Sequence, residues 1–189
     1  MKNRIVVVGG VAAGPSAASK AKRVNPNAEV LLFEQGEYVS YGICEVPYYI
    51  GNEVNDRDKL VTFTPQRLEQ VKGVKAKTLH RVEEIRSVQK QVVVRDLYRD
   101  KVQEYEYDRL ILATGAKSRP LGLKNENARN VFRVSSLEDG YTIKKFIEEE
   151  KPRNALVIGG GYIGMEMCEA LTNNGIETTI LHRGETPMS

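Results

Sequence analysis

The chain has 189 residues, with 28 Lys and Arg against 25 Asp and Glu, so its formal charge is +3. That excess is too small to predict a nucleic-acid partner. A composition of 41% hydrophobic and 28% charged residues is ordinary for globular proteins and excludes a disordered or collagen-like chain. No run approaches the ~18 apolar residues of a membrane span, and the first ten residues lack a secretion signal. We therefore expect a cytoplasmic protein of one or two small domains with no membrane partner.

The chain opens with a predicted strand, turn, helix and strand. The strand Arg4–Val8 runs into a glycine turn, small residues follow as far as Ala21, and the apolar run Val30–Phe33 ends at Glu34. This order predicts a βαβ unit with two parallel strands. The turn has the glycine spacing of a dinucleotide-binding loop except that Val11 replaces its middle glycine. Glu34 lies where such a fold binds a ribose diol; the alternative is a plain glycine turn with an exposed Glu.

The middle of the chain predicts less regular structure. Residues 36–73 favour loops with two short helices, one around Cys44 to Ile50 and one after Thr64-Pro65. Short apolar runs between Val74 and Tyr107 predict an antiparallel meander. Leu110–Ala113 then predicts a buried strand that ends at Thr114-Gly115. Residues 117–134 favour a linker, so we divide the chain into a first domain 1–116 and a second domain 135–189.

The second domain repeats the opening of the chain. Ser135 to Glu138 offers a capping box to a helix that runs to about Lys151. A strand, the glycines Gly159-x-Gly161-x-x-Gly164, a helix and a strand then recur 150 residues after the first copy. This strand ends in His182 and Arg183, without a carboxylate; Arg183 favours the 2′-phosphate of NADPH over NADH, unless both are solvated surface residues. Two strands rarely form a stable sheet, so we expect a fragment or a domain that needs the rest of its protein.

Two cysteines and two distant histidines are too few for a disulfide scaffold or a zinc site, so we predict no metal. Cys44 lies in S-x-x-x-C-x-x-P-Y-Y, and position 39, where a second redox cysteine would stand, is Val39. A lone thiol at the start of a short helix is typical of a nucleophile or redox centre. The alternative is a small buried apolar residue, which we predict for Cys168.

Two dinucleotide folds, this lone cysteine and the stretch Tyr107-Asp108 to Thr114-Gly115 together resemble the single-cysteine flavoprotein disulfide reductases. The similarity covers essentially all 189 residues and is strongest to the branch that reduces coenzyme A disulfide. It implies an α/β protein: a three-layer, Rossmann-like FAD-binding fold with an antiparallel meander, then the start of an NAD(P)-binding fold. Family members are well over twice as long, and the resemblance implies a homodimer formed through a C-terminal domain.

The resemblance also implies roles for individual residues. FAD would contact Gly9, Gly10, Val11, Ala12, Ala13, Gly14, Glu34, Gln35, Ser40, Val82, Thr114 and Gly115. NADPH, with NADH as the alternative, would contact Gly159, Gly161, Tyr162, Ile163, Gly164, His182 and Arg183. Cys44 would be the redox thiol, and Ser40 and Cys44 would face the flavin ring. Coenzyme A would contact Ser16, Lys20, Arg23, Ser40 and Lys72, although a solvated basic helix face also explains the cations.

Two departures from the family separate the alternatives. NADH peroxidases and related oxidases carry a histidine in the first glycine loop, where this chain has Ala12. The coenzyme A branch commonly has Asn before the cysteine, where this chain has Ile43. The sequence therefore predicts a reductase of coenzyme A disulfide or a related small disulfide. An NAD(P)H oxidase, a polysulfide reductase and a module that only binds a dinucleotide stay open.

Overall fold

The computed structural model describes residues 3–188, which form two compact units. The first unit contains the chain up to Gly42 together with Val61–Ala116, and the second contains Ile43–Leu60 together with the chain from Lys117 onward. The segment that carries Cys44 thus belongs to the second unit, although it interrupts the sequence of the first. The domain boundaries drawn from the sequence stay a prediction.

The elements follow the order predicted along the chain. The strands are β1 Arg4–Val8, β2 Glu29–Phe33, β3 Val74–Lys77, β4 His80–Arg86, β5 Gln91–Asp96, β6 Lys101–Glu106, β7 Arg109–Leu112, β8 Asn154–Ile158 and β9 Glu177–Leu181. The α-helices are α1 Ala13–Val24, α2 Val46–Ile50, α3 Pro65–Lys72, α4 Leu137–Glu150 and α5 Tyr162–Asn173. Within residues 3–188, no helix combines the length and the apolar character needed to cross a membrane.

The first unit is built on a parallel sheet with the strand order β3-β2-β1-β7. We predicted that the antiparallel meander begins at Val74, and this boundary is wrong. Val74–Lys77 instead pairs with β2 as the edge strand of the parallel sheet. The reason is local, because Gly73 ends α3 with φ +67° and Val74 enters the core beneath that helix. The meander proper is the antiparallel sheet β4-β5-β6.

Side chains of β1 and β2 point alternately to the two faces of this sheet, and both faces are buried. Val7 and Leu32 pack with Ala18 of α1 and Leu68 of α3. Val6, Val8, Leu31 and Phe33 pack with Val92 and Val94 of β5 on the opposite face. Burial on both faces explains why these strands are continuous apolar runs. The predicted three-layer fold, with helices, parallel sheet and meander, is confirmed.

The second unit contains the two-stranded parallel sheet β8-β9, with α5 as the crossover between its strands. The predicted helix before it is present, but its capping box uses Ser136 and Asp139 rather than Ser135 and Glu138. The short helix α2 packs against α4 and α5. The βαβ order predicted for this part of the sequence is therefore confirmed.

Candidate functional site

The first glycine turn lies where β1 ends and α1 begins. Gly9 has φ +105°, and its N–H donates to the Phe33 carbonyl at 2.9 Å. A Cβ at Gly9 would collide with the Ala113 carbonyl of the chain leaving β7, and one at Gly14 would collide with the Gly9 carbonyl oxygen. The turn therefore requires glycine at its first and last positions, as the dinucleotide-binding pattern predicts.

Glu34 holds this turn together from the end of β2. Its Oε2 accepts a hydrogen bond from the Gly10 N–H at 2.6 Å, and its Oε1 accepts one from the Gly36 N–H at 2.8 Å. Each carboxylate oxygen keeps a second lone pair for a ribose hydroxyl, so the predicted ribose contact is compatible with the turn contact. The sequence analysis missed the turn contact, although it did place Glu34 at the end of the second strand.

The other residues predicted to contact FAD lie at or near the carboxyl edge of the parallel sheet. Ser40, with φ +51°, donates its N–H to the Gly10 carbonyl at 2.8 Å. Thr114 and Gly115 directly follow β7, whose neighbour in the sheet is β1. Val82 lies in β4, the strand whose first N–H donates to the Glu34 carbonyl. Gln35 is exposed beside Glu34. Their roles toward FAD stay predictions.

The second glycine turn reproduces the first in detail. Gly159 has φ +110°, its N–H donates to the Leu181 carbonyl at 2.9 Å, and a Cβ at Gly164 would collide with the Gly159 carbonyl oxygen. His182 Nδ1 accepts the Gly160 N–H at 3.1 Å, which is the contact that Glu34 makes in the first turn. We predicted His182 only as a nucleotide contact. The sequence repeat, which aligns the end of β9 with Glu34, could have indicated that His182 also accepts a hydrogen bond from the turn.

Side chains that the sequence analysis assigned to NADPH surround this second turn. Tyr162 and Ile163 are exposed at the start of α5, and Arg183 is exposed just after β9. Apart from Gly161 and its two chain neighbours, no heavy atom of the described residues would lie within 4 Å of a Cβ at Gly161, so the turn is open on that side. These residues can meet a nucleotide, and their contacts with it stay predictions.

The helices that follow the glycine turns differ from the other long helices at their first residues. The N-termini of α3 and α4 are capped by the side chains of Thr64 and Ser136. Within residues 3–188, no side chain caps α1 or α5, and the first turn of each lacks an acidic residue. Uncapped N–H groups and the positive end of a helix dipole favour phosphate. Both turns thus fit the pyrophosphate of a dinucleotide.

Cys44 lies in the short 3-10 helix Ile43–Glu45 that leads directly into α2. Its side chain is exposed and free, so a substrate sulfur can reach the thiol. Cys168 is half-buried on α5, and burial raises the pKa of its thiol. Val39 is completely buried in the first unit. Of the two cysteines, only Cys44 has the exposure that a redox nucleophile requires.

Four of the five residues assigned to the coenzyme A contact lie on exposed helix surface of the first unit, and the fifth, Ser40, lies in the loop after β2. Ser16, Lys20 and Arg23 follow one another at spacings of four and three residues, which places them on one face of α1. Lys72 ends α3, with Nζ 5.6 Å from the centroid of the Phe63 ring. α1 and α3 are packed against each other. These cations are available to an anionic ligand, and that role stays a prediction.

Comparison with known sequences agrees with this geometry. The model of the family described as pyridine nucleotide-disulphide oxidoreductase matches residues 3–189. A protein named coenzyme A disulfide reductase from Staphylococcus epidermidis is 38% identical over 181 residues, which are 96% of this chain and 41% of the relative. The protein of the same name from Staphylococcus aureus is 34% identical over 182 residues, with the same coverage. The chain thus spans about two fifths of the length of the curated relatives it matches.

Solved structures give the same result. Reduced CoADR-RHD from Bacillus anthracis superimposes with a TM-score of 0.96 at 36% identity, covering 100% of this chain and 34% of that one. An NAD-dependent persulfide reductase from A. fulgidus has a TM-score of 0.89 at 35% identity, covering 94% and 33%. A water-forming NADH oxidase from Lactobacillus brevis has a TM-score of 0.89 at 27% identity, covering 99% and 41%. By its sequence, its glycine turns and these matches, the chain belongs to the pyridine nucleotide-disulphide oxidoreductase family.

Proposed function

We propose that the protein is an FAD-dependent reductase that uses NADPH and the single thiol of Cys44 to reduce coenzyme A disulfide or a related small disulfide. The observation that carries the proposal is the combination of two uncapped glycine-turn helices with one exposed, free cysteine. The curated relatives named coenzyme A disulfide reductase, at 34–38% identity over 96% of the chain, support the substrate.

The family depends on FAD and NAD(P)H. When bound, FAD takes a hydride from the nicotinamide and passes an electron pair to sulfur. The first glycine turn would hold the FAD pyrophosphate at the N-terminus of α1, with Glu34 on the ribose. The second turn would hold the nicotinamide dinucleotide in the same way at α5.

The choice of NADPH rests on the end of β9. His182 and Arg183 stand where a carboxylate would accept the ribose diol of NADH, and Arg183 is exposed and able to pair with a 2′-phosphate. An engineered NADPH oxidase with a TM-score of 0.89 to this chain and 27% identity is named for five substitutions that include Asp to Ala and Ala to Arg at adjacent positions. Loss of an acid beside gain of an arginine is the chemistry that this chain carries at His182-Arg183.

The thiol of Cys44 would act as an attacking thiolate. Attack on one sulfur of the substrate disulfide breaks its S–S bond, releases one product as a thiolate and leaves a mixed disulfide on Cys44. Two electrons supplied by NADPH and one proton then break this mixed disulfide, releasing the second thiol and restoring the thiolate. One NADPH is oxidised for each disulfide reduced. The cations of Lys20, Arg23 and Lys72 would bind the phosphates of coenzyme A.

The test is NADPH oxidation by the purified full-length protein, loaded with FAD, in the presence of coenzyme A disulfide. We expect turnover in the wild type and in Cys168→Ser, which removes the half-buried thiol. Cys44→Ser should abolish turnover while leaving the bound FAD in place. Unchanged turnover in Cys44→Ser would contradict the proposal, and so would binding of both nucleotides without any turnover in the wild type.

A second candidate, reduction of a persulfide or polysulfide, is favoured by the residue next to Cys44. Ile43 is 38% exposed and apolar, where the coenzyme A branch commonly has a polar Asn. The A. fulgidus protein named a persulfide reductase is 35% identical to this chain. An Ile43→Asn variant separates the two candidates: it should favour coenzyme A disulfide at the expense of a sulfane-sulfur substrate if the persulfide is the natural acceptor.

A further inference from the structure

The helix that follows Cys44 cannot be stable on its own, because α2 has only five residues. Two of its side chains, Val46 and Ile50, are completely buried. A Cβ at Gly140 of α4 would lie 2.6 Å from Val46 Cγ1, and a Cβ at Gly51 would lie 3.1 Å from Ala170 Cα of α5. The Cys44 segment therefore packs closely against Gly140 of α4 and Ala170 of α5.

The carboxyl end of α2 is held by a polar cluster of three side chains, Lys144, Asn174 and Asn52. Lys144 Nζ donates to the Tyr49 carbonyl at 2.9 Å and to Asn52 Oδ1 at 2.6 Å. Asn174 Nδ2 donates to the Ile50 carbonyl at 2.8 Å. Asn52 Nδ2 closes the cluster by donating to Asn174 Oδ1 at 2.8 Å. The last carbonyls of α2 thus find their donors on α4 and directly after α5.

Burying a lysine at this position is energetically unfavourable. Lys144 is only 8% exposed, and its Nζ lies 4.8 Å from the centroid of the Tyr49 ring. Burial lowers the pKa of Lys144, although Glu148 one turn later acts in the opposite direction. Within residues 3–188 both of its hydrogen-bond acceptors are neutral oxygens. An apolar side chain of similar length would fill the space without desolvating a charge, so packing alone does not account for a cation here.

We infer that Lys144 is a positioning residue for Cys44: with Asn52 and Asn174 it fixes α2, and α2 fixes the turn that presents the thiol. This inference rests on the proposed function for the role of Cys44, and on the contacts above for the role of Lys144. The thiol itself is exposed and makes none of these contacts, so its position depends on the segment that carries it. Lys144 acts at a distance, through the carbonyl of Tyr49 and the amide of Asn52.

Hydrogen exchange tests the structural part without requiring activity. In Lys144→Met we expect the amides of residues 46–53 to exchange about tenfold faster, because two hydrogen bonds to that segment are lost. Lys145→Met is the matched control, since Lys145 is exposed on the same helix and pairs only with Glu149 at 3.8 Å within the described chain. Equal exchange in the two variants would overturn the inference. Asn174→Ala, which removes the donor to Ile50, gives a second test if Lys144→Met does not fold.

Kinetics of the FAD-loaded, full-length protein test the functional part. Lys144→Met should lower kcat for disulfide reduction about tenfold while leaving unchanged both KM for NADPH and the rate at which NADPH reduces the flavin. Lys144→Arg, which keeps a donor, should recover part of kcat. Equal losses in flavin reduction and disulfide reduction would contradict positioning of Cys44. A wild type without disulfide turnover would refute the proposed function, whereas the exchange result would still decide whether Lys144 holds α2.

Discussion

The two glycine turns of the chain have nearly the same backbone but lie in two different sheets. In each turn the first glycine has φ of +105° or +110°, a Cβ on the last glycine would collide with the carbonyl of the first, and a side chain at the end of the next strand accepts the N–H of the second glycine. That acceptor is the carboxylate of Glu34 in the first copy and the imidazole of His182 in the second.

The sheets around the turns differ much more. β1 lies between β2 and β7, and its side chains are buried on both faces. Among residues 3–188, β8 pairs only with β9, and Leu156 and Ile158 are 58% and 48% exposed. The turn geometry therefore recurs in two separate sheets, with two glycines and one acceptor in each copy. What the two copies bind depends on the chemistry of the acceptor and of its neighbour.

The largest effect is expected from the last glycine of each turn. In Gly14→Ala and Gly164→Ala the new Cβ would collide with the carbonyl oxygen of Gly9 or Gly159. We expect each substitution to lower the free energy of unfolding by about 3 kcal/mol, measured by urea unfolding. Gly161→Ala is the control, because no described heavy atom beyond its chain neighbours would lie within 4 Å of the new Cβ. If Gly164→Ala lowered the free energy of unfolding no more than this control does, the last glycine would not have the same steric role in the two turns.

A smaller and unequal effect is expected from the acceptors. Glu34→Ala removes a charged acceptor of two N–H groups, from Gly10 and Gly36, whereas His182→Ala removes a neutral acceptor of one N–H. Since hydrogen bonds to charged groups are the stronger, we expect losses of about 2–3 kcal/mol for Glu34→Ala and about 1 kcal/mol for His182→Ala. Urea unfolding measures both, with Glu34→Gln and His182→Asn as variants that keep an acceptor. Equal losses would show that the charge of Glu34 adds nothing to the stability of the turn.

The nucleotide preference tests the chemical difference between the copies. Arg183→Met should weaken NADPH binding about tenfold, or ~1.4 kcal/mol, and change NADH binding little, because only NADPH carries the 2′-phosphate. Fluorescence titration of the purified protein with both nucleotides measures the two effects. Arg153→Met is the control, since Arg153 is exposed at the opposite, amino end of β8. Equal losses for NADPH and NADH would refute the assignment of Arg183.

The elements predicted well from the sequence are those whose signals are local. Both βαβ units are indicated by contiguous residues, namely a β-branched run, a glycine turn and a helix of small residues. The edge strand Val74–Lys77 was assigned to the wrong sheet because its partner β2 lies more than 40 residues earlier. No residue pattern within the strand indicates which strand it pairs with. The capping box was placed one residue early because Ser135 and Ser136 both precede an acid three residues later, and the structure uses Ser136 with Asp139.

In the candidate site, too, the residues with a local sequence signal were predictable and those joined by distant contacts were not. The glycines and Glu34 follow from spacing alone, and the structure places them at one turn. The role of Lys144 was not predictable, because Lys144 and Lys145 are neighbours of equal charge and only the direction of α4 against α2 determines which is buried. Contacts that join residues about 90 positions apart, such as Lys144 with Asn52, leave no pattern in a single sequence.

The smallest effect concerns Cys168, which occupies in α5 the place of Ala18 in α1, since 168 − 18 equals the repeat of 150. Ala18 is completely buried in the core of the first copy, so the equivalence predicts a packing role for Cys168. Cys168→Ala should change the free energy of unfolding by less than about 1 kcal/mol, and urea unfolding measures it. Because burial raises the pKa of Cys168, this thiol holds less thiolate than an exposed cysteine at any pH below its pKa.

Alkylation with iodoacetamide therefore distinguishes the two cysteines. In the folded protein near pH 8 we expect Cys44 to react first and Cys168 to lag, with the Cys168 rate rising only at higher pH as its thiolate forms. In denaturant both thiols should react at similar rates, since unfolding removes the desolvation that raises the Cys168 pKa. Peptide mass spectrometry assigns the modified residue. Faster labelling of Cys168 than of Cys44 in the folded state would contradict its equivalence to the buried Ala18 and the choice of Cys44 as the reactive thiol.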